Sequence, residues 1–241
     1  MANFPFKIMA KKYQHLFFDL DHTLWDFEKN SKQALIELYD SYDWQSILNL
    51  PVDEFLQSYY QKNDEMWALY RANKIDKATL RHRRFAETFA IYNYEHDEKV
   101  ANFEKDYIHL APQKTALFPG CIAMLQSLHD KFPMHIITNG FEETQHIKLA
   151  KSGLSPFFDK IITSDKIGVN KPEAKIFVEA MRLAGADRQS SLMIGDNLLA
   201  DILGARNVGM DQVFFNPQSN QHQEKVSFEI KALSELPGLL L

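Results

Sequence analysis

The run His15-Leu16-Phe17-Phe18 stops abruptly at Asp19. A short apolar run without polar alternation suits a strand buried on both faces, and such strands belong to parallel sheets. The pattern returns downstream. Met134 to Thr138, Lys160 to Thr163, Ser191 to Gly195 and Gln212 to Phe215 read as further strands. Helical stretches separate them: Ile122 to Leu128, Glu142 to Lys151 with Gly153 as its C-cap, one from Pro172 with proline at the first position, and one running to about Asn207. Strands alternating with helices predict an α/β fold with a doubly wound parallel sheet.

One long block breaks that rhythm. From Val52 the apolar positions are 52, 55, 56, 59, 60, 66, 69 and 70, the face of a helix. Asp76 reads as the N-cap of a second helix carrying Leu80, Phe85, Phe89 and Ala90. Asp97 caps a third, through Val100, Phe103, Tyr107 and Ile108. No strand pattern occurs between about residues 28 and 112. The sheet therefore starts near residue 14, pauses for an all-helical insertion, and resumes near 115. Asn216 to Lys225 reads as a loop.

Composition narrows the functional classes. The chain has 241 residues, enough for one large domain or one with an insertion. Its formal charge is −5, so no global basic field recruits a nucleic acid polymer. An anionic substrate must instead be held by local devices such as a metal, a lysine or helix N-termini. The single cysteine, Cys121, excludes an internal disulfide and argues against a Cys-based zinc site; it reads as a buried thiol. The apolar run around Phe4, Phe6 and Ile8 is too short for a signal-peptide core, and no stretch approaches the ~18 apolar residues of a membrane span. The reading is a cytoplasmic protein with no membrane partner.

In open α/β sheets ligands bind beyond the carboxyl ends of the strands. The first strand delivers Asp19 and Asp21, and the second Thr138, Asn139 and Gly140. Lys171 follows the third. The fourth delivers Gly195 and Asp196, with Asp201 shortly after. Singly, each is unremarkable: an acid at a strand end usually caps a helix, and a lone lysine is usually solvated. Together, in order, they suit phosphoryl transfer. Clustered carboxylates bind a hard cation such as Mg²⁺, a carboxylate can act as nucleophile, and lysine and backbone N–H groups hold phosphate oxygens.

Asp19-Leu20-Asp21-His22-Thr23-Leu24, Ile137-Thr138-Asn139, Lys171-Pro172, and Gly195-Asp196 with Asp201 resemble the four motifs of the haloacid dehalogenase-like hydrolase superfamily. The resemblance implies a Rossmann-like core at 1–24 and 113–241 and a helical cap at 25–112 that opens and closes over the site. It implies Mg²⁺ as cofactor and an aspartyl-phosphate intermediate. Asp19 would be nucleophile and metal ligand, and Asp21 general acid and base and a ligand through its backbone carbonyl. Thr138 and Asn139 would bind phosphate, Lys171 would pair with phosphate and Asp19, and Asp196 would be the second carboxylate on the metal. Asp201 and Thr23 would support them. Dehalogenases of the superfamily lack the second acid, so Asp21 points to phosphate esters. A general acid needs a proton to donate, so its carboxyl is expected to be raised.

The stretch from Asp19 to Phe27, Thr138-Asn139-Gly140-Phe141, Gly168 to Pro172, and Gly195 to Leu198 look like the noncanonical pyrimidine 5′-nucleotidase branch. The implied partner is a small phosphorylated metabolite, a nucleoside monophosphate. His22 reads as loop-shaping rather than metal-binding. Trp25 and Phe27 either stack on a base or pack the entry to the cap. Arg81 and Arg84 share a helix side and either reach substrate or form a solvated face. Two other classes stay open: a sugar-phosphate phosphatase or phosphomutase of the same superfamily, and a non-catalytic phosphate-ligand binding protein. Oligomeric state is not legible.

Overall fold

The structure is a computed structural model and describes residues 13–95 and 97–241. The stretch on which the signal-peptide argument rested, residues 1–12, lies outside the described residues. Strand β1 (His15–Phe18) leads into α1 (Phe27–Ser41), α2 (Trp44–Leu48), α3 (Val52–Arg71), α4 (Lys77–Ala90) and α5 (Glu98–Leu110). Then come α6 (Cys121–His129), β2 (Met134–Thr138), α7 (Glu142–Lys151), β3 (Lys160–Thr163), α8 (Ser164–Ile167) and α9 (Ala174–Ala184). The chain closes with β4 (Ser191–Gly195), α10 (Gly204–Asn207), β5 (Asp211–Phe215), β6 (Phe228–Ile230) and α11 (Leu236–Leu240). A π-helical stretch, Leu198–Leu203, runs into α10.

The six strands form one parallel sheet in the order β3-β2-β1-β4-β5-β6. Side chains alternate across it, and both faces are buried. Leu16, Phe18, Ile136, Leu192, Ile194 and Val213 enter one apolar cluster with α6 and α11. Phe17, Ile137, Ile162 and Met193 enter another with α9. Two-sided burial is why these strands read as continuous apolar runs. The strand order reverses between β1 and β4, and a crevice at such a switch point is where these sheets take ligands.

The chain divides into two compact units, one holding the chain up to Phe27 with Thr115–Leu241, the other Glu28–Lys114. Among its described residues, the regular secondary structure of the second unit is all helical. Its core is aromatic: Tyr39, Trp44, Phe55, Tyr59, Phe85, Phe89 and Phe103 are fully buried. Asp76 caps α4 by accepting from the Thr79 N–H, and Asp97 caps α5 through the Val100 N–H.

Three local readings change. Pro172 is not the first residue of its helix. It precedes α9, which starts at Ala174, and the Lys171–Pro172 bond is cis. The strand β6 went unread, because three residues are too few to show a period. Gly153 stands one residue beyond the C-cap Ser152 of α7, at φ 70°, where its missing Cβ suits the left-handed turn. Cys121 is buried at the start of α6, and burial pushes its thiol up to about 12. Among the described residues, no helix is long and apolar enough to cross a membrane.

Candidate active site

Asp19 leaves the end of β1 with its N–H bonded to Ile194 O on β4 (2.9 Å). This ladder bond puts the ends of the two central strands side by side. Lys171, almost fully buried, reaches them from the loop before α9. Its Nζ donates to Asp19 Oδ1 (2.7 Å), Asp201 Oδ1 (2.6 Å) and the Ile137 carbonyl (2.7 Å), using all three ammonium protons. The backbone of Lys171 is tied down by Asn139. The Lys171 N–H donates to Asn139 Oδ1 (2.7 Å) and the Asn139 amide donates to Lys171 O (3.0 Å).

Asp201 is fully buried in the π-helical stretch. Its second oxygen accepts from the Asn197 N–H (3.0 Å). Gly195 makes room for it, because a Cβ there would overlap the Asp201 carboxylate. Asp196 sits beside it, and Thr23 braces it twice. The Thr23 hydroxyl donates to Asp196 Oδ1 (3.0 Å) and accepts from the Asp196 N–H (3.1 Å). The Thr138 hydroxyl accepts from the Gly140 N–H (3.0 Å), which shapes the turn into α7.

Carboxylate oxygens of Asp19, Asp196 and Asp201 lie within 4.8 Å of one another. Burial raises the Asp19 carboxyl well above its usual range. Lys171 pulls it down, while Asp201 and Asp196 push it up again. Asp196 is raised to about 7, first by burial and then by the charge of Asp201. Burial alone would lower the Lys171 ammonium, but Asp19 and Asp201 outweigh it and raise it. Three acids thus share one lysine. An all-oxygen donor set short of positive charge fits a hard divalent cation.

Asp21 departs from expectation. Burial would raise its carboxyl, but the charge and hydrogen bond of Lys148, the Gln145 amide and the charge of His22 together hold it below the usual range. Lys148 Nζ donates to Asp21 Oδ1 (2.6 Å) and Gln145 Nε2 to Asp21 Oδ2 (2.9 Å). Neither residue was singled out in the sequence. The available signal was weak: a glutamine and a lysine three apart on the helix that opens after Thr138-Asn139-Gly140.

His22 takes φ 64°, a backbone conformation in which glycine is at ease, and its N–H bonds the Trp25 carbonyl. Its ring lies against Phe27, at 4.8 Å between centroids. Trp25 is 1% exposed, and Lys148 Nζ stands 4.3 Å from its ring centroid. Trp25 therefore packs the loop and offers no open face for a base. Phe27 is partly buried against the same core. In the helical unit Arg84 is a core residue rather than a surface one. It is 7% exposed, bonds Asn63 Oδ1 (3.3 Å), and lies over the Phe85 and Tyr107 rings. This corrects both alternatives for Arg84, a reach to substrate and a solvated face, because its guanidinium is enclosed within the unit. Arg81 is half-buried on α4.

The model of the haloacid dehalogenase-like hydrolases matches residues 13–209, from the strand before Asp19 to the helix after Asp201. The chain belongs to the haloacid dehalogenase-like hydrolase family. Within the family it is 31% identical over 228 residues to the pyrimidine 5′-nucleotidase PynA of Streptococcus pneumoniae, covering 93% of each chain. It is 30% identical over 232 residues to the pyrimidine 5′-nucleotidase YjjG of Escherichia coli, covering 95% of this chain and 98% of that one. The crystal structure of the HAD-hydrolase YfnB from Bacillus subtilis, bound to magnesium, superimposes with a TM-score of 0.85 at 30% identity, covering 95% of this chain and 99% of that one.

Proposed function

We propose that this hydrolase is a Mg²⁺-dependent phosphomonoesterase that works through an aspartyl-phosphate on Asp19, with pyrimidine nucleoside 5′-monophosphates as substrates. The observation that carries the reading is the buried Lys171, held at once by Asp19 and Asp201 beside Asp196. Similarity to two pyrimidine 5′-nucleotidases supports the substrate class. Similarity to a magnesium-bound hydrolase supports the cofactor.

Asp19, Asp196 and the backbone carbonyl of Asp21 would hold the ion, with Asp201 behind them. When bound, Mg²⁺ keeps these acids ionised and offsets the negative charge of the phosphate. A carboxylate oxygen of Asp19 attacks phosphorus as the ester P–O bond breaks. Asp21, ionised in the free protein, takes up a proton from the substrate monoanion or from water and passes it to the leaving 5′-alkoxide. Lys171, the Thr138 hydroxyl and the Asn139 backbone bear the charge of the phosphoryl oxygens. Water then attacks phosphorus, Asp21 takes its proton, and Asp19 leaves with the bonding pair as free carboxylate, releasing inorganic phosphate. Lys148 favours the ionised form of Asp21, to which it returns on donating its proton and which the second step requires.

A phosphate-release panel with Mg²⁺ tests the reading. Pyrimidine monophosphates such as dUMP, UMP and dTMP should exceed purine monophosphates and sugar phosphates in kcat/KM. A flat response removes the nucleotide assignment. Dependence on a bisphosphate activator with little net release identifies a mutase. No release from any monoester leaves a binding protein.

A further inference from the structure

Gln145 and Lys148 belong to none of the four motifs, yet both side chains are buried, and both end on Asp21. They stand three residues apart, on one side of α7. Each takes one oxygen, so the carboxylate plane, whose terminal torsion is otherwise broad, is fixed at two points. The helix that carries them opens at Glu142, just past Asn139, which is bonded twice to the backbone of Lys171. The partners of Asp21 and the partner of Asp19 thus share one framework.

Three features show that this arrangement is built rather than incidental. A Cβ at Gly140 would overlap the Gln145 amide, so Gln145 reaches Asp21 only through space that a glycine leaves open. Lys148 Nζ is seated over Trp25 at 4.3 Å and near Phe27 at 5.8 Å from the ring centroids, which favours a cation there. Gln145 Oε1 is buried without a partner among the described residues, a cost that an apolar filler of the same volume would avoid.

We propose that Gln145 and Lys148 are positioning residues that clamp the Asp21 carboxylate in line with the departing oxygen of the substrate. The proposal rests on the phosphatase reading, with Asp21 as the acid. A lysine that served only to hold α7 in place would affect all substrates alike. A clamp on the acid matters most where the leaving group most needs a proton.

The test is kcat/KM, which reports the step in which the ester bond breaks, for dUMP and for p-nitrophenyl phosphate. The variants are Lys148→Met, Lys148→Arg, Gln145→Leu and Gly140→Ala, each with its melting temperature. Lys148→Met should lose about 30-fold on the alkyl ester and less than about 3-fold on the aryl ester, mostly in kcat. Lys148→Arg should recover most of the loss. Gln145→Leu and Gly140→Ala, which empties or displaces the amide, should show the same asymmetry at smaller size and keep the test open if Lys148→Met does not fold. Equal losses on both esters, or a gain on the alkyl ester, overturn the proposal. Asp21→Asn is the reference. If it shows the asymmetry and the α7 variants do not, the clamp alone fails; if it does not, Asp21 is not the acid and both readings fall.

Discussion

Lys171 is the residue on which the site turns. Its ammonium is buried between Asp19 and Asp201 and has no spare proton. Replacing it with Met leaves two buried carboxylates facing each other. A loss of about 3–5 kcal/mol in urea denaturation is expected, as when one partner of a buried ion pair is removed. Asp19→Asn behaves in the opposite way. The Asp19 carboxyl is already penalised by burial and by two neighbouring acids. Its neutral amide should leave the melting temperature unchanged or higher, while phosphate release falls by more than about 1,000-fold. Unchanged turnover in this variant would remove Asp19 as nucleophile.

At the scale of elements, the two ends of the sheet are charged differently. The carboxyl ends of β1 and β4 carry the acids. Near the opposite end, His15 on β1 meets His135 on β2, with ring nitrogens 3.2 Å apart. Burial, then the charge of His15, lowers His135 to about 4. Asp159 opposes that shift and Lys160 adds to it. The folded state therefore takes its proton later than the unfolded chain does on acidification. Stability from this pair is complete above about pH 6.5 and drains as pH falls toward 4. His135→Phe should flatten that part of the curve of melting temperature against pH. The helical unit has its own element-level dependence: Asp97→Ala removes the N-cap of α5 and should cost about 1 kcal/mol by urea denaturation.

At the scale of the whole molecule, folding brings three acids together around one lysine, and a ligand that neutralises them should be felt globally. Mg²⁺ that binds only the folded state raises apparent stability by about 2.7 kcal/mol at a hundred times its dissociation constant. Adding Mg²⁺ should raise the melting temperature, EDTA should reverse the rise, and Asp196→Asn should abolish it. A melting temperature indifferent to both additions would argue against metal at the cluster of Asp19, Asp196 and Asp201.

Much of this was legible without coordinates, for a physical reason. Strands buried on both faces must be apolar throughout, so β1, β2, β4 and β5 stand out, and side chains past their ends stand out by contrast. Helix caps are local, so Asp76 and Asp97 announced themselves. The strand order, the reversal between β1 and β4, and the short β6 depend on which elements pack, and no local pattern holds that. The same is true of charge. Asp21 seemed an acid that needed raising, and only the tertiary approach of Lys148 and Gln145, 127 and 124 residues away in sequence, reversed the sign. Whether Trp25 stacked on a base or packed the loop was open until burial decided for packing, and Arg84, read as either substrate-reaching or solvated, is enclosed instead. Residue identities and their periods determined which groups arrive at the sheet edge. Burial and distance, which exist only after folding, decided how those groups are ionised and which of them face one another.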